Sequence, residues 1–269
     1  MRVHLNGIDV FYSSSGAGQP IVLIHGYPLD HTIWDPQREY LSQDYFVLAP
    51  DLRGHGKSES SPGPYTMDLL ARDVHALIDH LHLEPVVLGG LSMGGYVALA
   101  FMRLFPQRVR ALILADTRAE ADTAEAKSRR EQQAQTVLRN GTGEVVDQMV
   151  PKMFTEKTVR EDPKLVERVR RMMESTSPTG IAGALLGMAQ RTDSTPFLDS
   201  IRVPTLILVG SQDSITTVEH ARKMASGIPD SQLVVVPDAA HLTTLERPRE
   251  VNAAIGGFLS GLLTTTGLG

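Results

Sequence analysis

Several predicted strands of this sequence end at a serine, a histidine or an acid. Together, these residue types can activate a hydroxyl for attack on a carbonyl. Ser92 lies in Gly90-Leu91-Ser92-Met93-Gly94, between an apolar, β-branched run and a helical pattern. Small residues two positions before and after a serine permit a sharp strand-to-helix turn that exposes the hydroxyl. A serine hydroxyl is a weak nucleophile until a base removes its proton and a third group orients that base. The stretch therefore predicts a nucleophile that needs a histidine and an acid from elsewhere in the chain.

The base and the acid are predicted from late turns. Of the nine histidines, only His241 follows a late apolar run and a short turn, in Val236-Pro237-Asp238-Ala239-Ala240-His241. Asp213 ends the loop after the preceding apolar run, and Asp116 also follows a strand and remains an alternative acid. We favour Asp213 because its loop neighbours the one that carries His241. The resulting chain order of serine, acid and histidine suits groups placed at the ends of successive strands of one sheet.

The elements that must position these groups alternate between strands and helices. Asn6-Gly7 between two short alternating segments predicts a β-hairpin, with Ser13 to Gln19 as a link after it. Buried apolar runs predict strands at residues 20–25, 45–49, 85–89, 109–115, 204–210 and 232–236. Runs that are apolar on both faces are typical of parallel strands covered by helices on both sides. The fold class is therefore α/β, and ligands of such sheets bind beyond the carboxyl ends of the strands.

Between Arg118 and Pro196 the alternation stops, and only helical periodicity remains. Breaks at Asn140-Gly141, Asp162-Pro163 and Ser177-Pro178 predict four helices there. We therefore predict a core of residues 1–117 and 197–269 and a helical cap of residues 118–196. Four apolar residues of this insertion are candidates for an adaptable acyl pocket, or else only pack its helices together: Met153, Phe154, Met172 and Met188.

Composition excludes several classes of function. The formal net charge of -5 gives no support for nucleic-acid binding, and the absence of cysteine excludes disulfides and thiolate catalysis. The histidines show no metal-binding spacing such as H-E-x-x-H, so we expect neither a metal nor another cofactor. No apolar leader or membrane span is predicted, and we expect a cytoplasmic protein without a membrane partner.

Five motifs together resemble the α/β-hydrolase superfamily, in its cap-bearing bacterial esterase and lactonase branch. They are His25-Gly26-Tyr27-Pro28, the stretch from Asp51 to Ser58, Gly90 to Gly94, the Asp213 loop, and His241 followed by Glu246-Arg247-Pro248. The resemblance implies a mostly parallel, eight-stranded sheet with helices on both faces and a helical cap insertion. It also implies an oxyanion hole made by the backbone N–H groups of Tyr27 and Met93. Pro28 and His31 follow that loop and are candidates for the edge of the pocket, while His25, Asp51, Arg53 and His55 are expected to brace the loops.

The resemblance implies hydrolysis of a small-molecule carboxylic ester through an acyl-enzyme on Ser92. Haloalkane dehalogenases and most epoxide hydrolases of this fold use an aspartate at the position of Ser92, and proline iminopeptidases have a tryptophan where this chain has Met93.

Three alternative functions remain. The oligomeric state is left open. The Ser92 turn and Asp116-Thr117-Arg118 are similar to 3-oxoadipate enol-lactonases, whose carboxylated substrate needs a cation such as Arg118 or Arg191. Pro28 resembles the loop of cofactor-free haloperoxidases, which are perhydrolases, and the least favoured alternative is a noncatalytic ligand-binding relative.

Overall fold

The computed structural model describes residues 1–83 and 85–265, with side chains as far as residue 262. Eight strands are found in these residues: β1 (Arg2–Leu5), β2 (Ile8–Ser15), β3 (Pro20–Ile24), β4 (Phe46–Pro50), β5 (Val86–Leu91), β6 (Val109–Ala115), β7 (Thr205–Gly210) and β8 (Ser231–Val236). Six helices outside the insertion are α1 (Asp35–Leu41), α2 (Met67–His80), α3 (Met93–Leu104), α9 (Val218–Gly227), α10 (Thr243–Glu246) and α11 (Pro248–Thr265). Each predicted strand is present, with ends shifted by one or two residues except in β2.

The strands form one sheet in the order β1-β2-β4-β3-β5-β6-β7-β8. All pairs from β4 to β8 are parallel, whereas β1–β2 and β2–β4 are antiparallel. This arrangement confirms the predicted fold class and the mostly parallel, eight-stranded sheet. The carboxyl ends of β3, β5, β6, β7 and β8 consequently lie along one edge, where the predicted site residues follow them.

The first hairpin is confirmed, but the predicted link after it is partly wrong. Asn6 and Gly7 both have positive φ, 49° and 76°, as a two-residue type I′ turn requires. Strand β2 then continues through Ser15 and pairs with β4, with Ser15 opposite Val47. Serines alone suggested a turn, yet pairing with β4 satisfies their backbone groups and makes the strand continuous.

The sheet buries one apolar cluster on each face. Successive residues of β3 alternate between them: Val22 and Ile24 face α2 and α3, while Ile21 and Leu23 face α1 and α11. This alternation follows from the two-residue period of a strand, and it explains why the strand sequences are apolar throughout. Helices on both faces thus hold the sheet as a rigid base for the loops at its carboxyl edge.

The segment between β6 and β7 holds five helices where the sequence predicted four. They are α4 (Ala124–Asn140), α5 (Gly143–Met153), α6 (Glu156–Glu161), α7 (Pro163–Ser175) and α8 (Pro178–Ala189), together called the helical insertion. All three predicted breaks are present. The missed break lies at Phe154-Thr155, where the Thr155 hydroxyl accepts a hydrogen bond from the Thr158 N–H and caps α6. Neither glycine nor proline marks this break, so the periodic pattern showed no stop.

No helix in the described part of the chain is long and apolar enough to cross a membrane.

Candidate active site

Ser92 stands on a strained turn between β5 and α3. Its φ and ψ are 56° and -114°, a region that side-chain-bearing residues rarely adopt. A Cβ placed on Gly90 would lie 2.2 Å from the Gly94 carbonyl oxygen, and one on Gly94 would lie 2.3 Å from the Ile24 oxygen. The turn is also tied to the end of β6, because the Ser92 N–H donates to the Ala115 oxygen at 2.9 Å. The small residues are therefore steric requirements of this turn, as the sequence predicted.

The structure brings Ser92, His241 and Asp213 into one hydrogen-bonded chain. The Ser92 hydroxyl lies 2.9 Å from His241 Nε2, and His241 Nδ1 lies 2.8 Å from Asp213 Oδ2. Because a carboxylate only accepts, the imidazole carries its proton on Nδ1 and leaves Nε2 free to accept from the serine. His241 is 2% exposed and Asp213 is 5% exposed, so the hydrogen bond between them is shielded from water. The arrangement has the geometry of a nucleophile, a base and an orienting acid.

Asp213 is held by its own loop as well as by His241. The N–H groups of Ile215 and Thr216 donate to Oδ1 at 2.8 and 3.0 Å, and the Thr216 hydroxyl donates to Oδ2 at 2.6 Å. Burial acts to raise the pKa of Asp213, but the charge of His241 and these hydrogen bonds outweigh it and hold that pKa below its ordinary value. The carboxylate is therefore ionised and fixed before any substrate binds.

Burial and the neighbouring Asp213 carboxylate together determine the basicity of His241. Burial acts to lower the pKa of the imidazole, but attraction to the Asp213 carboxylate and the hydrogen bond between them raise it above its ordinary value of 6.5. A base with a raised pKa accepts the serine proton more readily once it is in its neutral form.

Asp116, the alternative acid, lies behind this chain and bonds elsewhere. Its carboxyl accepts from the Gly210 N–H at 3.0 Å and bonds to the Thr243 hydroxyl. Burial and the nearby Asp213 charge raise the pKa of Asp116 to about 8. The hydrogen bond to His241 Nδ1 belongs to Asp213, so the geometry favours Asp213 as the orienting acid.

The predicted oxyanion loop packs directly against Ser92. A Cβ on Gly26 would lie 3.2 Å from the Ser92 Cβ, which brings the adjoining Tyr27 backbone to the serine. Within residues 1–83 and 85–265, neither the Tyr27 N–H nor the Met93 N–H donates a hydrogen bond to another residue. Met93 also begins α3, whose N-terminal dipole favours negative charge. Two unused donors next to the serine suit a developing oxyanion, although their role stays a prediction.

His25 shapes this loop through backbone contacts, which confirms its predicted bracing role. Its Nε2 accepts from the Leu52 N–H at 2.9 Å, so Nδ1 carries the proton and donates to the Gly26 oxygen at 2.8 Å. Complete burial lowers the pKa of His25, so the imidazole stays neutral.

His31 bonds to the neighbouring turn, and its place at the edge of the pocket stays a prediction. Its backbone N–H and ring Nδ1 both bond to Asp51 Oδ1, at 2.8 and 2.7 Å. Asp51 Oδ2 accepts from the Lys57 N–H, so this carboxylate braces the loop as predicted. Burial acts to raise the pKa of Asp51, but the His31 hydrogen bond and the nearby histidines hold it below its ordinary value. Asp30, His31 and Asp51 group their ligand atoms within 4.8 Å, yet hydrogen bonds within the loop already use them.

The predicted pocket residues of the insertion divide between two clusters. Met153, Phe154 and Met172 are buried in the cluster that contains Leu242, next to His241. Met188 is buried in the other cluster, with Tyr27 and Met93. The four residues thus belong to different apolar clusters, and their contact with a substrate stays a prediction. Next to Tyr27, Pro28 receives a hydrogen bond on its carbonyl from the Thr176 hydroxyl, between α7 and α8.

Three arginines surround the single buried carboxylate of Asp122. Arg118 and Arg191 bond to its Oδ1, both at 2.9 Å, and Arg130 bonds to its Oδ2. Arg191 also donates to the Glu120 and Met188 carbonyl oxygens and stacks on Tyr96, so its guanidinium is held by contacts within the fold. Within this group, one carboxylate is thus shared by three guanidinium groups.

The Tyr27 side chain lies near the charge of Arg130. Among the described residues, its buried hydroxyl has no hydrogen-bond partner. Burial raises the pKa of Tyr27, and the nearby Arg130 charge opposes that rise. The sequence prediction named Arg118 and Arg191 as candidate cations, and the structure adds Arg130.

Sequence reasoning assigned no supporting role to three residues near His241 and Asp213, although Glu246 belongs to one of the motifs. Thr216 follows Asp213 by three positions, a spacing at which an aspartate commonly accepts from the following backbone N–H groups. Thr243 and Glu246 follow His241 closely, but their partners, Asp116 and Thr155, are distant in sequence. Only the Thr216 contact left a local signal.

A sheet of this order, with a serine on a strained turn after β5, defines an α/β hydrolase. The family model described as the alpha/beta hydrolase fold matches residues 19–248, and the chain belongs to this family. It is therefore a hydrolase, in agreement with the predicted class.

Solved and curated relatives narrow this class. The structure of a thermophilic esterase from Thermogutta terrifontis with malate bound is 45% identical, with a TM-score of 0.95 over 97% of this chain and 99% of that one. The enol-lactonase from Burkholderia xenovorans LB400 is 29% identical, with a TM-score of 0.91 over 97% of this chain and all of that one. The 3-oxoadipate enol-lactonase 2 of Acinetobacter baylyi is 33% identical over 83% of this chain and 82% of its own length. Relatives of this chain thus include an esterase and enol-lactonases.

Proposed function

We propose that this protein hydrolyses carboxylic esters of small molecules through an acyl-enzyme on Ser92. The observation that carries the proposal is the chain of hydrogen bonds from Ser92 through His241 to Asp213. Similarity to an esterase over nearly the whole chain supports ester hydrolysis as the reaction.

In the first step, the Ser92 Oγ attacks the ester carbonyl carbon while His241 Nε2 takes the hydroxyl proton. The carbonyl oxygen becomes an oxyanion that accepts from the N–H groups of Tyr27 and Met93. His241 then gives its proton to the leaving alcohol as the ester C–O bond breaks. In the second step, a water molecule attacks the acyl carbon while His241 Nε2 takes its proton. His241 then returns that proton to Ser92 Oγ as the bond between Oγ and the acyl carbon breaks, and the acid leaves.

Asp213 acts through His241 in both steps. Its carboxylate keeps the imidazole proton on Nδ1 and stabilises the imidazolium that forms when Nε2 takes a proton. Removal of one oxyanion-hole donor commonly lowers turnover on the order of a hundredfold to a thousandfold. The N–H groups of Tyr27 and Met93 are therefore each expected to contribute strongly to turnover.

A panel of p-nitrophenyl esters of increasing acyl length tests the reaction, with Ser92→Ala as the matched control. We expect hydrolysis by the wild type and none above background by the variant. A lactone panel beside it separates an esterase from an enol-lactonase. Hydrolysis by Ser92→Ala at the wild-type rate contradicts the mechanism.

The arginine group favours a second candidate, in which the ester or lactone carries a carboxylate. The charge of Arg130, which bonds to Asp122, acts on the buried Tyr27 hydroxyl, and this hydroxyl lacks a partner in the described structure. The related esterase binds malate, a dicarboxylate, and two relatives are enol-lactonases. A substrate carboxylate on Arg130 and Tyr27 would use both groups.

Two esters of equal length distinguish this candidate: p-nitrophenyl butyrate and the mono-p-nitrophenyl ester of succinate. A charge-assisted hydrogen bond contributes about 1.5–3 kcal/mol, so we expect kcat/KM to favour the succinate ester by about tenfold or more. Arg130→Gln should remove this preference, whereas Arg129→Gln, on the exposed face of α4, should keep it. Equal kcat/KM for both esters contradicts the candidate.

The perhydrolase alternative, the limits of the predicted cap, the cytoplasmic location and the absence of metal, cofactor, membrane and nucleic-acid partners all stay predictions.

A further inference from the structure

Glu246 joins the loop of His241 to the helical insertion. Its Oε2 accepts from the Ala240 N–H at 2.6 Å. Its Oε1 accepts from the N–H and the hydroxyl of Thr155, at 2.8 and 3.0 Å. The residue is 7% exposed, so water competes little for these bonds. One buried carboxylate thus binds the residue before His241 and the residue that caps α6.

The residue after His241 is tied to the same place. The Leu242 N–H donates to the Met153 carbonyl oxygen at 3.2 Å. Both backbone neighbours of His241 are therefore held at the α5–α6 break, one directly and one through Glu246. This break, at residues 153–155, is the point where the insertion meets the imidazole loop.

The core holds the beginning of the same loop. The Gln212 N–H donates to the Ala239 oxygen at 2.9 Å, and a Cβ on Gly210 would lie 2.1 Å from the Ala240 oxygen. The loop of Asp213 thus supports the approach to His241, while the insertion supports the backbone on both sides of it. His241 is positioned by the two parts of the chain together.

We propose that Glu246 is a positioning residue that makes the alignment of His241 with Ser92 depend on the seating of the helical insertion. The inference rests on the proposed function, since the alignment matters for proton transfer from Ser92. A shift of the α5–α6 break moves Thr155 and Met153, and through them the backbone at Ala240 and Leu242. The imidazole then leaves the position in which Nε2 reaches the serine hydroxyl. Entry of a substrate under the insertion and activation of the nucleophile are therefore linked.

The size of the effect follows from the precision that proton transfer needs. A misplacement of about 1 Å can lower a rate on the order of a hundredfold. Glu246→Gln keeps the side-chain shape but replaces one accepting oxygen with a donating NH2 group, so one of the two bonded N–H groups loses its partner. The insertion and the loop then lose their common anchor, although neither Ser92 nor His241 has changed.

Four variants test the proposal: Glu246→Gln, Thr155→Val, Thr155→Ser and Thr123→Val. Thr123 caps α4 through the Ala126 N–H, as Thr155 caps α6, but it is exposed and bonds only within its own helix. For p-nitrophenyl butyrate we expect Glu246→Gln and Thr155→Val to lower kcat by about tenfold or more while KM stays within about twofold. Thr155→Ser keeps the hydroxyl and should restore kcat, and Thr123→Val should leave it unchanged.

An NMR readout follows the imidazole itself. The His241 Nδ1 proton, in its hydrogen bond to Asp213, should give a downfield resonance that is absent from His241→Gln. We expect this signal in the wild type and in Thr123→Val, and its shift or loss in Thr155→Val and Glu246→Gln. Thermal unfolding measured beside it shows whether each variant is folded.

Three results would overturn the proposal. The first is an unchanged kcat and an unchanged resonance in Glu246→Gln and Thr155→Val. The second is an equal loss of kcat in Thr123→Val. The third is a loss of kcat that unfolding of the variants explains alone. Failure of the proposed function looks different, because the wild type itself would then hydrolyse none of the esters. The resonance still reports in that case whether Glu246 and Thr155 position His241.

Discussion

Ser92 is held in a conformation that costs free energy in the folded state. A positive φ at a residue with a side chain costs about 1–3 kcal/mol, and the surrounding contacts must compensate for it. The Ser92 carbonyl accepts from the Thr117 hydroxyl at 2.8 Å, and its N–H is bonded to β6. These bonds fix the hydroxyl within reach of His241 before any substrate arrives. Strain at this residue is thus part of how the proposed nucleophile is positioned.

We expect the raised pKa of His241 to determine the acid limit of activity. The imidazole must be neutral to accept the Ser92 proton, so kcat/KM should fall as the pH drops through a value above the ordinary 6.5. A pH profile with p-nitrophenyl butyrate measures this limit. Asp213→Asn should lower the rate on the order of ten-thousandfold and move the limit of the residual activity to lower pH. A wild-type limit at or below 6.5 contradicts the role of Asp213.

The raised pKa of Asp116 predicts that the stability of the fold depends on pH. Its pKa is raised from 3.8 to about 8 in the folded protein, first by burial and then by the Asp213 charge. Between these values the unfolded chain loses the proton that the folded protein keeps, so rising pH favours unfolding. Asp116→Asn keeps the contacts to Gly210 and Thr243 without a titrating group.

We therefore expect the thermal midpoint of Asp116→Asn to rise relative to the wild type as the pH increases from about 5 to about 8. Scanning calorimetry across this range measures the difference. Asp213→Asn is a control that should instead be less stable than the wild type at neutral pH. The lowered pKa of Asp213 in the folded protein means that its carboxylate stabilises the fold there. A difference between Asp116→Asn and the wild type that does not change with pH would contradict the assignment.

The turn between β5 and α3 depends on its glycines as an element. Gly90→Ala would bring a Cβ to within 2.2 Å of the backbone at Gly94. We expect a loss in the free energy of unfolding of about 1–3 kcal/mol or more, together with loss of ester hydrolysis. Gly143→Ala is the matched control, because nothing lies within 4 Å of its added Cβ and it begins α5. That variant should gain about 0.4–1 kcal/mol, and urea unfolding of both distinguishes the outcomes.

Equal stability of Gly90→Ala and the wild type would show that the turn accepts a side chain at position 90. That result would contradict the steric requirement for glycine there.

The ends of helices and strands were predictable from the sequence where turn-forming or helix-breaking residues stand at them. Asn6-Gly7 adopts the turn that its residue types favour, and Asp162-Pro163 and Ser177-Pro178 end helices as expected. The break at Thr155 was missed because its cap is a threonine without a flanking glycine or proline. The end of β2 was missed because a partner strand, rather than the serines themselves, determines it.

At the scale of the whole molecule, the sheet order explains why the proposed triad could be predicted. Ser92, Asp213 and His241 follow β5, β7 and β8, whose carboxyl ends lie on one edge of the sheet. No such rule predicts the contacts between the insertion and the core. Thr155 meets Glu246 and Thr176 meets the Pro28 carbonyl across 91 and 148 positions of the chain, with no motif to pair them.

The molecule therefore combines a rigid sheet edge with an insertion that contacts both loops of the site. One contact reaches the oxyanion loop at Pro28, and the other reaches the His241 loop through Glu246. The sheet determines which chemistry is proposed, and the insertion, with its buried methionines and arginines, is expected to select the substrate.

The most direct measurement of the central claim is the position of the acyl group during turnover. The wild type is mixed with p-nitrophenyl butyrate, quenched in acid within the first turnovers, digested and examined by mass spectrometry. We predict a butyryl group on the peptide that contains Ser92, with no such group and no hydrolysis in Ser92→Ala. A butyryl group on another residue, or undiminished hydrolysis by Ser92→Ala, would contradict the account.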